Sequence, residues 1–291
     1  MIIKGLSSHI QNNMSEVRVM NKITIHGCKC KSGKKYKDCC MIKQQLINAI
    51  TGGLQNYDEK YVLGELLEES EAFNDFYKKE RANIKTPLFW IKDEKLSAKM
   101  RSSGYIINQK QYDIIYTKKV PINMERVIDT AHEIQHIICN EKGLPAIQLN
   151  EKFQDNELFV WIAATFVNLL ADPIVNSNLL NYDFNIYNFI KKETLEQIPL
   201  MLPLKQNINE LGRLNTISFY IQNHLEWELL NIEEVNLFSE AYRAKYDFLL
   251  EDVDDILNYI KTKGYDTNEK VRDIYLYIIS KYNLHHIFSV V

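Results

Sequence analysis

The sequence predicts an α+β protein that is predominantly helical. Glycine and proline, which interrupt helices, are scarce, at 10 and 6 of 291 residues, and helix-forming residues dominate most of the chain. One stretch, 86–120, is instead rich in β-branched and aromatic residues. We therefore expect many helices and one small sheet.

The elements are expected in the following order. A helical pattern over 41–50 stops at two glycines, and a longer helical stretch covers 58–81. The runs LFWI, GYII and YDIIYT within 86–120 predict two to four strands. Helices resume from about 123 to 140 and over 156–171, and they fill the chain from 207 onward. Turn residues predict breaks between them, at Gly143, Pro145, Asn231 and Gly264.

Composition and charge exclude several classes of protein. Hydrophobic residues make up 46% and charged residues 25%, as in ordinary globular proteins. A formal net charge of -3 gives no reason to expect a nucleic-acid partner. The sequence also suggests no apolar run long enough to cross a bilayer and no signal peptide, so we expect a cytoplasmic protein without a membrane partner.

Four of the five cysteines lie within thirteen residues, at Cys28, Cys30, Cys39 and Cys40. Such crowding in an intracellular chain favours metal binding over disulfides. Four thiolates suit tetrahedral Zn²⁺, and so small a module would depend on the metal to fold. The pattern predicts a structural zinc site.

These cysteines resemble the SEC-C motif, CxCxSGKKYKxC followed by Cys or His, and the match departs only at Lys31, where the family usually has Gly. The resemblance implies a zinc-bound docking module for a protein partner rather than a catalytic activity. A purely structural zinc knob is the alternative. We accordingly divide the chain into an N-terminal segment, 1–42, with the module at 28–40, and a main domain, 43–291.

The main domain contains a HExxH motif at His132, Glu133 and His136. The histidines stand at i and i+4 of a predicted helix, so both imidazoles can reach one ion. Zinc lowers the pKa of its bound water, and Glu133 can then act as general base for attack on a carbonyl. The motif predicts two metal ligands and one catalytic residue. The alternative is a helix whose His and Glu merely face solvent.

A catalytic zinc needs a third protein ligand and one open position. Glu157 lies 21 residues beyond His136 and Asp172 lies 36 beyond it, and both share one face of a predicted helix. Either acid also has a structural explanation. Glu157 can be a first-turn acid, and Asp172 can be the N-cap of a new helix that begins at Pro173.

The run from Asn168 to Asn176 is similar to a pattern, NxxxDPxVN, in uncharacterised bacterial HExxH proteins. That resemblance favours Asp172 over Glu157 as the third ligand. A small sheet that leads into a HExxH helix, with further helices behind it, also resembles the zincin-like metallopeptidases, which implies their fold for the main domain.

The sequence gives weaker evidence for the roles of three other residues. Asp129 is a candidate acceptor for a ligand imidazole, and His224 is a candidate donor to an oxyanion. Cys139 is expected to be a small core residue rather than a nucleophile.

The leading hypothesis is a zinc metallopeptidase that holds one catalytic and one structural Zn²⁺ and cleaves a peptide or protein substrate. The second is a non-catalytic adaptor that binds partner proteins through the cysteine module, with its other zinc site closed, for example by His224. The third is hydrolysis of a non-peptide amide.

Overall fold

The computed structural model describes residues 2–3, 48, 50–107, 110–198, 208–231 and 235–291. The predicted zinc module at 28–40 lies outside these residues. Within them the protein is mostly helical with a small sheet, which confirms the predicted α+β, predominantly helical class.

The sheet has five strands, β1 (Ile2–Ile3), β2 (Asn56–Tyr57), β3 (Leu88–Lys92), β4 (Met100–Ile107) and β5 (Lys110–Thr117). Their order in the sheet is β1-β4-β5-β3-β2. β4 and β5 form an antiparallel pair, and β3 runs parallel to β5. At the two edges, β1 runs parallel to β4 and β2 runs antiparallel to β3. Three of the strands fall within 86–120, as predicted.

Two short helices, α1 (Glu59–Glu69) and α2 (Glu71–Glu80), replace the single helix predicted over 58–81. Ser70 separates them because its backbone is extended there and its hydroxyl accepts a hydrogen bond from the backbone N–H of Phe73, at 3.1 Å. A serine that satisfies a free N–H in this way begins a new helix.

The HExxH motif lies on α3 (Val127–Glu141), after a short 3₁₀ turn at Met124–Arg126. The helix is held by one apolar face, on which Ala131, Ile134 and Ile138 are fully buried. The predicted helix is therefore present, and its core-facing side fixes the direction in which the motif's polar side chains point.

The longest described helix, α4 (Glu157–Leu179), continues past the predicted end at 171. Asp172 and Pro173 lie inside it, so the alternative explanation, in which Asp172 is the N-cap of a new helix beginning at Pro173, is wrong. Proline lacks an N–H for the carbonyl of Leu169 and costs about 3 kcal/mol inside a helix. Burial of the apolar residues around it outweighs that cost, and these are Leu169, Leu170, Val175 and Leu179.

Length and composition alone would also let α4 cross a membrane, with a mean hydropathy of 1.9 over its best window. This corrects the expectation that no apolar run approaches that length. Half of that window is buried inside the fold, where α4 packs against α3, against the strand Ile147–Leu149 and against the helix Glu210–Leu230.

The helices from 210 onward follow the predicted pattern, but the strand at 288–290 departs from it, and the strand at 147–149 and the helix at 186–197 were not predicted. Asn231 and Gly264 adopt positive φ angles, 51° and 71°, and end two helices where breaks were predicted. A second, two-stranded sheet joins β6 to β7. These elements are β6 (Ile147–Leu149), α5 (Ile186–Gln197), α6 (Glu210–Leu230), α7 (Val235–Tyr246), α8 (Leu250–Lys263), α9 (Asn268–Lys281) and β7 (Phe288–Val290).

Candidate metal centre

Helices α3 and α4 bring His132, His136 and Asp172 together. The Nε2 atoms of the two histidines are 2.9 Å apart. Asp172 Oδ1 lies 3.1 Å from Nε2 of His136 and 3.8 Å from Nε2 of His132. Two features produce this group. The histidines are spaced four residues apart along α3, and α4 continues past Ala171 to Asp172.

The spacing of these three atoms fits a metal ion. Ligands bound to tetrahedral zinc at about 2.0–2.1 Å lie about 3.3 Å from one another. Asp172 is only 8% exposed, and its Oδ1 atom is buried and accepts no hydrogen bond among the described residues, although it lies close to the two imidazoles. A buried carboxylate oxygen is costly unless something compensates it. The group could therefore hold a metal ion.

The charge around the group also favours a cation. Burial would by itself lower the pKa of His136, but the carboxylates of Asp172 and Glu133 outweigh that effect and leave its pKa above the usual value. Positive charge is thus stabilised at this point of the fold.

Glu133 belongs to the centre without being one of the three converging ligands. Its Oε2 atom accepts a hydrogen bond from the backbone N–H of Ser102 on β4, at 2.6 Å. Ser102 stands opposite Ile115 of β5, yet its N–H is directed to Glu133, so this N–H lies on the edge of β4 that faces away from β5.

A second layer of side chains holds two of the three ligands. Nδ1 of His132 lies 3.0 Å from Oδ1 of Asn176, and Nδ2 of Asn176 donates to Oε1 of Glu226, at 2.8 Å. Gln222 donates to Oδ2 of Asp172, also at 2.8 Å. Burial raises the pKa of Glu226 well above its usual value, and the nearby carboxylate of Asp172 raises it further.

Sequence reasoning assigned no role to Asn176, Gln222 or Glu226. Asn176 was already visible within the NxxxDPxVN pattern, four residues after Asp172. Gln222 and Glu226 show the same spacing, and each is next to an apolar residue, Ile221 or Leu225. Polar residues one helical turn apart on a buried face were the signal that could have found them.

Glu157 lies far from the group. It is an exposed residue in the first turn of α4, fifteen positions before Asp172, and this separation corresponds to about 22 Å along a helix. Asp129 pairs with Arg126 at 3.3 Å. The side chain next to the His132 imidazole is Asn176 rather than Asp129.

His224 and Cys139 also lie outside the group. His224 stands midway between Gln222 and Glu226 on α6, so it projects to the opposite side, where its Nε2 lies 3.1 Å from Glu228. Cys139 is a buried thiol whose pKa is raised by burial, in agreement with the predicted core position.

The candidate centre is thus a group of two imidazoles and one carboxylate, with a second carboxylate beside it and a hydrogen-bonded layer behind it. No family model, curated protein or solved structure matches the chain.

Proposed function

We propose that the protein is a zinc-dependent metallopeptidase. The convergence of His132, His136 and Asp172 carries the proposal. Two imidazole nitrogens and one carboxylate oxygen are a donor set that catalytic zinc sites use, with a further position left for water or substrate. Imidazole ligands and tetrahedral spacing favour zinc over magnesium or calcium, which prefer all-oxygen sites.

Zinc in this place would polarise a substrate carbonyl and lower the pKa of a bound water. Glu133 is the general base of the proposal. Because Oε2 of Glu133 is occupied by the N–H of Ser102, Oε1 remains to accept a proton. The hydrogen bond also fixes the side chain, so that the base is held ready beside the ligands.

The edge of β4 favours a peptide over a small amide as the substrate. Among the described residues, β1 pairs with β4 only at Gly104 and Tyr105, so no strand covers the neighbouring edge at Ser102. An extended peptide can add to such an edge through hydrogen bonds to the backbone groups that Glu133 leaves free. A peptide bound there would lie next to Glu133.

The order of the elements supports the same proposal. A sheet precedes the HExxH helix and further helices follow it, which is the arrangement expected of a zincin-like domain. The SEC-C-like cysteines at 28–40 would hold a second, structural zinc and dock a partner or substrate protein. A cytoplasmic location remains part of the proposal.

Glu133→Gln tests the proposed function. Glutamine keeps the shape and can still accept the Ser102 hydrogen bond, but it cannot take up a proton at neutral pH. We expect unchanged zinc content and unchanged thermal stability, with peptide cleavage reduced by about a hundredfold or more. Glu125→Gln, an exposed glutamate just before α3, is the matched control and should behave like the parent.

The measurements are zinc content by elemental analysis and cleavage of a peptide mixture and an unfolded protein by each purified variant. Cleavage by Glu133→Gln at the parent rate would refute the peptidase proposal. The adaptor hypothesis would then take its place.

A further inference from the structure

Helices α4 and α6 pack against each other at the metal group, and their interacting residues have the same four-residue spacing. On α4, Asp172 and Asn176 are four residues apart, and on α6 so are Gln222 and Glu226. Gln222 bonds to Asp172 and Glu226 bonds to Asn176, each at 2.8 Å. Neighbours four apart lie on the same side of a helix, so one face of α6 contacts both side chains. α6 itself contributes no ligand to the group.

The pairing with Glu226 sets the orientation of the Asn176 amide. An amide presents a donor on one side and an acceptor on the other. Because Glu226 Oε1 accepts from Nδ2, the oxygen of Asn176 faces His132 Nδ1, at 3.0 Å. That oxygen can only accept, so Nδ1 of His132 has to carry the proton.

The proton on Nδ1 decides which nitrogen of His132 can bind a metal. A neutral imidazole has one protonated nitrogen and one free lone pair. With Nδ1 protonated, the lone pair is on Nε2, the atom that faces His136 and Asp172. Asn176 is 2% exposed and Glu226 is 5% exposed, so bulk water offers little competition for these hydrogen bonds.

We infer that Glu226 is a positioning residue that fixes the tautomer of His132 through Asn176. Gln222 has the corresponding effect on Asp172, since it occupies Oδ2 and leaves Oδ1 for the metal. The inference rests on the proposed function only in requiring a metal at this group. It makes metal affinity depend on a helix that touches no metal.

Two substitutions at Glu226 separate loss of the acceptor oxygen from loss of the carboxyl group. Glu226→Met removes the acceptor, fills a similar volume and leaves no unpaired buried charge. Glu226→Gln replaces the carboxyl group by an amide and keeps an acceptor oxygen. Glu228→Met is the control, because Glu228 lies on the same helix but is 48% exposed and pairs with Lys261 and His224.

Two readouts need no substrate. Zinc affinity is measured by competition with a chromophoric chelator. The tautomer of His132 is read from ¹⁵N NMR of the metal-free protein labelled at histidine, with the His132→Ala spectrum used for assignment. Thermal unfolding of each metal-free variant shows whether the fold is retained.

We expect Glu226→Met to weaken zinc binding by about 10- to 100-fold, the scale for groups that orient a ligand. His132 should at the same time lose its preference for a proton on Nδ1. Glu226→Gln and Glu228→Met should stay within about threefold of the parent. A parent-like tautomer in Glu226→Met, or equal losses of affinity in Glu226→Met and Glu226→Gln, would overturn the inference. A changed tautomer together with an absence of peptide cleavage by the parent would leave this inference intact and refute the proposed function.

Discussion

Replacement of each candidate third ligand gives a direct test of the metal centre. We expect Asp172→Ala to lose most zinc affinity and Glu157→Ala to keep it. Four-ligand structural zinc sites bind with about 10–16 kcal/mol, so one ligand contributes about 2.5–4 kcal/mol. Each 1.4 kcal/mol is about tenfold in the dissociation constant, and the loss should therefore reach two to three orders of magnitude.

The geometry explains why the two acids should differ. Asp172 Oδ1 lies 3.1 Å from His136 Nε2, whereas Glu157 is about 22 Å away along the same helix. Zinc affinity of the group is best measured by chelator competition in a Cys28→Ser, Cys30→Ser background, so that the predicted second zinc does not obscure the result. Comparable affinity in both alanine variants would show that neither acid is a ligand. Loss in Glu157→Ala alone would contradict the described arrangement of α4.

Two further predictions concern other parts of the chain. Protein purified without chelator should contain close to two zinc ions, and Cys28→Ser with Cys30→Ser should remove one while leaving cleavage of short peptides largely unchanged. Loss of that cleavage in a folded variant would place the module in the active site. Ser218 is fully buried on α6, and its hydroxyl has no hydrogen-bond partner in the part of the chain that the structure describes. Ser218→Ala should raise the free energy of unfolding by about 1 kcal/mol in urea titrations, and a decrease would reveal a bonded hydroxyl.

Local patterns were sufficient to predict the ligand pair. His132 and His136 are separated by one helical turn, so their meeting depends on α3 alone. The strands in 86–120 and the ends of α6 and α8 were likewise predictable, because β-branched residues and turn residues act locally.

The rest of the centre depends on tertiary packing. The position of Asp172 requires α4 to continue through Pro173, against the local preference of that residue, and the sequence therefore left Asp172 and Glu157 as alternatives. Glu226 lies 90 residues after His136, and nothing in its own neighbourhood shows which helix it will face. The break at Ser70 was missed because serine is tolerated within helices as well as at their ends.

Asp172 also affects how readily α4 would insert into a lipid bilayer. Its long apolar stretch passes the length and hydropathy criteria for a membrane span, and Asp172 is the acidic residue that interrupts it beyond the first turn. An aspartate near the centre of a helix costs about 2.5–3.5 kcal/mol during insertion into a bilayer, and less toward the ends. The carboxylate proposed to bind zinc therefore also opposes insertion of the core helix into a membrane during synthesis. Substitutions that make α4 more apolar at this position would weaken both effects together.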